Sequence, residues 1–269
     1  MTKKIDRIAA AFQRAAEQKR AALIPYIAAG NPLPTTTVPL MHALVKAGAD
    51  VIELGIPFSD PLADGPTIQD ASQRALIAGM TPPKVFDIVR EARQRTQTPI
   101  VLMGSWNPAL QYGMARFAQD AAEAGADGTI MTDLTPEEAG VWKSVSDAVN
   151  LDTIFLLAPT STPSRMALVG RMASGFIYCV SRTGITGAQN DVPSDLPPLI
   201  EAIRPWANET PICVGFGIHT PAHVTTITRY TDGAVVGSSL VSLLYKEREN
   251  PNALGIVRDY ITSLKAATL

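Results

Sequence analysis

The sequence is poor in the features that announce most functional classes. Of its 269 residues only two are cysteine, Cys179 and Cys213. Both sit inside apolar runs (FIYCV and PICVGF), so each reads as a reduced, buried thiol acting as a small hydrophobe. The three histidines, His42, His219 and His223, are spread out with no Cys, Asp or Glu at ligand spacing, which speaks against a metal site. Lysine and arginine are scattered over a net charge of -2, leaving no basic footprint for nucleic acid or an anionic membrane surface. No apolar run approaches membrane-spanning length, and the N-terminal stretch MTKKIDRIAAAFQRAAEQKRAAL carries charge around a helical period. A cytoplasmic protein whose partners are small molecules or other proteins is expected. Ser and Cys nucleophile motifs are missing, and no lysine falls near the end of an apolar run, where a Schiff base would need it. Linkers rich in Pro, Gly or Ser are missing too, so residues 1–269 read as one domain.

What is present is an alternation. Short runs rich in Val, Ile and Leu lie at 22–29, 50–55, 99–104, 127–132, 152–158, 175–180, 211–216 and 232–237. They lack polar alternation, as parallel strands covered on both faces do, and helix-periodic stretches between them supply the crossovers that parallel strands require. Several of these stretches open with Thr, Ser or Asp before Pro and close on Ala-Gly, which suits helix caps. Eight such pairs in this length match an α/β fold of the (β/α)8 barrel type, with an open doubly wound sheet as the competing topology. An extra helix at 2–18 precedes the first strand and is expected to plug the N-terminal end of the barrel.

Barrel enzymes place their chemistry at the C-terminal ends of the strands, so the loops there carry the search. After the second run the chain reads ELGIPFSDPLADGP. Glu53 at the end of a strand can point into the barrel mouth, lose water and acquire a raised pKa suited to proton transfer near neutrality; it can equally face outward, to cap a helix or pair with an arginine. Asp60 and Asp64 lie in a long loop stiffened by Pro and Gly, which reads either as a substrate-covering lid or as a turn with solvated aspartates. After the sixth, seventh and eighth runs come SRTGITGAQN, GFGIHTP and GSSL. One glycine pair could be a plain turn, but three after successive strands, the last opening a short helix, point to a phosphate-bearing substrate held by backbone N–H groups.

These segments resemble one family. LIPYIAAGNP, ADVIELGIPFSDPLADGPTIQ, NPALQYG, APTSTPSRM, SRTGITGA, GFGI and GSSLV are similar to the tryptophan synthase α subunit over nearly the whole chain, the loop after the second strand being the most specific. The resemblance implies a (β/α)8 barrel that cleaves indole-3-glycerol phosphate to indole and glyceraldehyde 3-phosphate by a retro-aldol reaction, with no cofactor of its own. It implies Glu53 as the general acid/base and Asp64 as the carboxylate facing the indole N–H. It implies Gly187, Gly217, Gly237 and Ser238 as phosphate ligands, and Thr186 as the closing residue that meets Asp64. Tyr26, Met103, Ile130, Tyr178 and Phe216 would wall the indole pocket. The implied partner is a pyridoxal-phosphate β subunit in an αββα heterotetramer, faced by Pro57, Asp60, Asn107 and Pro108.

The chain also departs from the family pattern. Gly104, Ser105 and Trp106 stand where Thr-Tyr-Tyr is common, so a tyrosine expected beside the ligand becomes Ser105, with Trp106 a candidate to refill its space. Asn31 replaces a usual Asp, and Thr135 a common Pro after Asp133. The altered 104–106 segment keeps open a stand-alone lyase that releases free indole; a weakly catalytic subunit that regulates β is a further reading, against which the presence of both carboxylates counts.

Overall fold

Parallel strands form wherever the apolar runs occur, because each can be buried on both faces. The computed structural model describes residues 6–180, 196–215 and 217–269. Its strands are β1 (Ala22–Ala28), β2 (Ile52–Gly55), β3 (Ile100–Gly104), β4 (Gly128–Met131), β5 (Asp152–Ile154), β6 (Leu156–Leu157), β7 (Ile177–Val180), β8 (Ile212–Gly215) and β9 (Gly233–Val236). All pairs are parallel, in the order β5-β4-β3-β2-β1-β9-β8-β7-β6.

The two ends of that order are consecutive in the chain, separated only by Phe155. The expected run at 152–158 is therefore one barrel position split in two: its first half pairs with β4 and its second with β7. Backbone bonds continue across the break, since Thr153 O accepts from Ser174 N at 3.0 Å and Phe155 O from Tyr178 N at 3.0 Å. The sheet closes on itself, and the fold is the (β/α)8 barrel rather than the open sheet.

Residue parity divides each strand. Ala22, Ile24, Val51, Val101, Ile154 and Val235 turn inward and pack into one interior cluster, while Leu23, Ile52, Leu54, Leu102, Ile177 and Val214 turn outward against the helices. The helix Arg7–Glu17 sends Ile8, Ala11, Phe12 and Ala15 into the interior cluster and closes the N-terminal end, as its periodicity predicts. Residues 2–5 of the expected 2–18 span lie outside the described residues. The Thr-Pro starts act as caps at Thr162 and Thr220, whose side chains accept from Arg165 N and His223 N.

Two helices were not anticipated. Trp106–Tyr112 follows β3, and Pro66–Ile77 follows β2 directly after the acidic loop. Gly65 is the N-cap and Pro66 fills the first turn of the latter, where the missing N–H costs nothing, so the long loop expected after β2 ends at Gly65. Among the described residues no helix is long and apolar enough to cross a membrane.

Candidate active site

Glu53 follows the inward parity of Val51, so its side chain enters the barrel mouth rather than facing the helices. It is fully buried, and neither carboxylate oxygen has a hydrogen-bond partner among the described residues. A buried carboxylate without a partner avoids the cost of its charge by staying protonated, and burial pushes Glu53 up to about 8. Outward capping and pairing with arginine are both excluded.

Asp64 is half-buried in the loop between β2 and the helix Pro66–Ile77, and burial raises it to about 6. The loop is folded on itself: Asp64 N donates to Pro61 O at 2.9 Å, Leu62 N to Asp60 O at 2.9 Å, and the Gln69 side chain bonds Asp64 O at 2.8 Å. Asp60 is exposed and bonded to Ser59.

Two tyrosines mark where the carboxylates converge. Tyr26 pairs in register with Glu53, placing the two side by side on the inner face. Its ring lies over Gly55, and Tyr178 lies over Gly215; a Cβ at either glycine would come within 2.1 Å and 2.0 Å of the respective hydroxyl. Both phenols are pushed well above the ordinary value, first by burial. Asp64 and then Glu53 add to the rise at Tyr26, and Glu53, Cys213 and Asp64 add to it at Tyr178. One acid that holds its proton to about 8 and one that loses it near 6 thus act on the same two hydroxyls.

Two of the other expected pocket residues, Ile130 and Met103, are inward-facing in the described strands. Ile130 and Tyr178 belong to the interior cluster, and Met103 bridges it to a second cluster of Tyr26, Ala28, Ile68, Ala71 and Val241. Phe216, Thr186 and Gly187 lie outside the described residues. Ser105 is buried at the start of the helix Trp106–Tyr112, but Trp106 does not refill the pocket. Its ring meets Trp142 edge-on at 5.4 Å, and it packs against the outer core. Asp133 fixes this outward course by accepting from Trp106 N at 2.6 Å.

Across the mouth, Gly237 is the N-cap of the helix Ser238–Lys246 and has no side-chain cap bond, which leaves backbone donors at its first turn for an anion. Gly217 has φ +40 with open space beside it. A brace that the sequence did not reveal ties these loops together: Ser239 Oγ donates to Ile218 O at 2.8 Å, while Tyr260 OH contacts Ser239 Oγ at 2.9 Å and His219 O at 3.2 Å. A second unanticipated contact is Arg74, which bonds Asn31 Oδ1 at 3.0 Å and stacks on Tyr245 at 3.9 Å, linking the loop after β1 to that same helix. Neither brace has a local signal, because the partners are far apart in the chain.

The structure brings His219 and His223 to 4.5 Å between ring centres, while His42 lies against Ala92 O. Cys179 and Cys213 are buried free thiols, as expected; burial pushes Cys179 up to about 12 and raises Cys213 well above the ordinary thiol value. Of the expected partner-facing residues, Pro57 is buried, Pro108 half-buried, and Asp60 and Asn107 exposed, all after β2 or β3 on the mouth side. A cavity of about 820 Å³ opens at the opposite end, beside Phe12, Arg20, Arg204 and Leu269. Two of its arginines are already paired, Arg20 with Asp50 and Arg204 with Asp232, and it shares none of the residues described above at the mouth.

Comparison with known proteins points the same way. A family model described as tryptophan synthase alpha chain matches residues 12–268. A tryptophan synthase alpha chain from Geobacter sulfurreducens is 47% identical over 264 residues, covering 98% of this chain and 99% of that one. The solved tryptophan synthase subunit alpha from Legionella pneumophila str. Paris is similar with a TM-score of 0.89 at 40% identity, covering 97% of this chain and 98% of that one. A chain of Mycobacterium tuberculosis tryptophan synthase gives 0.89 at 38% identity, with the same coverage.

Proposed function

This chain belongs to the tryptophan synthase alpha chain family, and on that premise we propose how its residues carry out the family's reaction. The chain is a carbon–carbon lyase that cleaves indole-3-glycerol phosphate to indole and glyceraldehyde 3-phosphate, in partnership with a β subunit. The observation that carries the assignment of roles is Glu53, buried without a partner in the mouth and protonated up to about 8.

Near neutral pH, Glu53 delivers its proton to indole C3, and the positive charge that results spreads to the ring nitrogen. Asp64, ionised above about 6, faces that nitrogen and stabilises the cation. The Glu53 carboxylate then takes the proton of the C3' hydroxyl. The C3–C3' pair returns to the ring, aromaticity is restored, and the C3' oxygen becomes the aldehyde. Glu53 ends protonated, so the cycle balances. The phosphate is held by the backbones of Gly187, Gly217 and Gly237 and by Ser238, with Thr186 closing over the substrate; Tyr26, Met103, Ile130, Tyr178 and Phe216 wall the indole.

The barrel works as one domain without a cofactor of its own, in the cytoplasm. Indole passes to the pyridoxal-phosphate β subunit of an αββα heterotetramer across Pro57, Asp60, Asn107 and Pro108. The test is a steady-state assay of the pure chain with and without β. Glu53→Gln is expected to reduce indole production by about 10³-fold or more and Asp64→Asn by about 10²-fold, each with the fold intact. Near-normal turnover in either variant sinks the assignment, and turnover indifferent to β favours the stand-alone lyase.

A further inference from the structure

Tyr26 was expected only as an apolar wall, yet its ring crosses the mouth from one reacting end to the other. At one end its Cβ and Cδ1 lie 3.8 and 3.9 Å from where a Cβ on Gly237 would be, beside the start of the helix Ser238–Lys246. At the other its hydroxyl sits above Gly55, within 2.1 Å of where a Cβ there would be, on the strand that carries Glu53. Room for the ring and its oxygen exists only because residue 55 has no side chain.

That hydroxyl is not held by its neighbour. Tyr26 is 6% exposed, and both Glu53 oxygens lack a partner among the described residues, so the two groups sit side by side without bonding. A hydroxyl that does not bond the carboxyl beside it can donate instead to a substrate oxygen brought to that carboxyl. Burial, Asp64 and Glu53 all oppose ionisation of the phenol, so across the working pH range it is a donor.

With the phosphate at Gly237 and the C3' hydroxyl at Glu53, the glycerol chain runs along Tyr26. We propose that the Tyr26 hydroxyl is a further catalytic group that donates a hydrogen bond to the C3' oxygen of the substrate. The inference rests on the lyase reading above. As Glu53 removes the C3' proton and the C3–C3' bond breaks, negative charge gathers on that oxygen before the carbonyl forms. A fixed donor there stabilises this charge, and the tyrosine keeps its own proton throughout.

Tyr26→Phe removes the oxygen and keeps the ring, so packing against Gly55 and Gly237 survives. Measured with indole-3-glycerol phosphate, kcat is expected to fall about 10- to 100-fold. Affinity for 3-(indol-3-yl)propyl phosphate, which has the ring and phosphate but no glycerol hydroxyls, is expected to stay within about twofold, since a hydrogen bond to C3' oxygen has no counterpart there. Turnover within twofold of wild type, or a loss of affinity for the deoxy analogue that matches the loss in turnover, overturns the proposal and returns Tyr26 to a wall. A wild-type chain without lyase activity overturns the parent reading and this one with it, which separates the two failures.

Discussion

At the N-terminal rim of the barrel, Asp127 is gripped by Arg7 at 2.9 Å and by Arg93, and accepts from Ile100 N at 2.8 Å. At the C-terminal rim, Glu53 is just as buried and has no partner among the described residues. The contrast repeats around the ring. Asp50 holds Arg20 and Lys265 and accepts from Leu23 N at 2.8 Å, and Asp232 holds Arg204 and accepts from Ile212 N at 2.7 Å. Each of these aspartates stands just before a strand and ties its backbone to the strand beside it. Asp152 is the exception at that rim: it is raised to about 6, first by burial, with Asp6 and Asp127 adding to the rise. A carboxylate is thus a clamp at one end and, in the proposed role, a reactive group at the other, and partners decide which. A carboxylate whose lone pairs are filled has no free valence for chemistry, whereas an orphaned one costs stability and remains available to a substrate.

The largest way to break this comparison is at the clamp. Asp127→Ala leaves Arg7 and Arg93 facing each other without a counterion and is expected to cost about 3–5 kcal/mol in urea unfolding, with turnover per folded molecule little changed. A loss of activity out of proportion to the loss of folded protein would show that the two rims are not independent.

Next is the orphan. Glu53 holds its proton to about 8 in the folded chain, against an ordinary value of 4.5. Its stabilising contribution is therefore complete below the lower value and is lost as pH rises through the upper one. Each tenfold difference in proton affinity is worth about 1.4 kcal/mol, so Glu53→Gln is expected to gain about 3 kcal/mol over wild type at pH 7 and little at pH 4. Paired denaturation curves at the two pH values check this, and a variant less stable than wild type at pH 7 contradicts the orphan's cost.

The smallest effect is kinetic. In the proposed roles Asp64 must be ionised and Glu53 protonated, so kcat/KM should form a bell between about 6 and 8, falling about tenfold per pH unit on either side. In Asp64→Asn the acid limb should vanish. Asp50 and Asp127 variants should leave both limbs where they are, and a limb that moves with either would blur the distinction between the rims.

Much of this was legible beforehand. Eight apolar runs, their caps and the acidic loop are local patterns, and they led to the barrel, to the plug helix Arg7–Glu17 and to Glu53 and Asp64 as candidates. The helix Pro66–Ile77 was hidden because its start, Gly65-Pro66, reads equally as the continuation of a turn. Trp106 was misplaced because its direction depends on Asp133 and Trp142, 27 and 36 positions further along the chain. The braces at Arg74 and Tyr260 were invisible for the same reason.

By itself the sequence determined the strand and helix alternation, since burial on two faces and the helical period are written in consecutive residues. It also settled the family, through a loop whose residues have few other uses together. Only the tertiary structure decided which way Glu53 points, that it has no partner there, and that Tyr26 lies beside it. Those outcomes depend on strand register and on closure of the sheet at Phe155, which bring together groups that no local pattern connects.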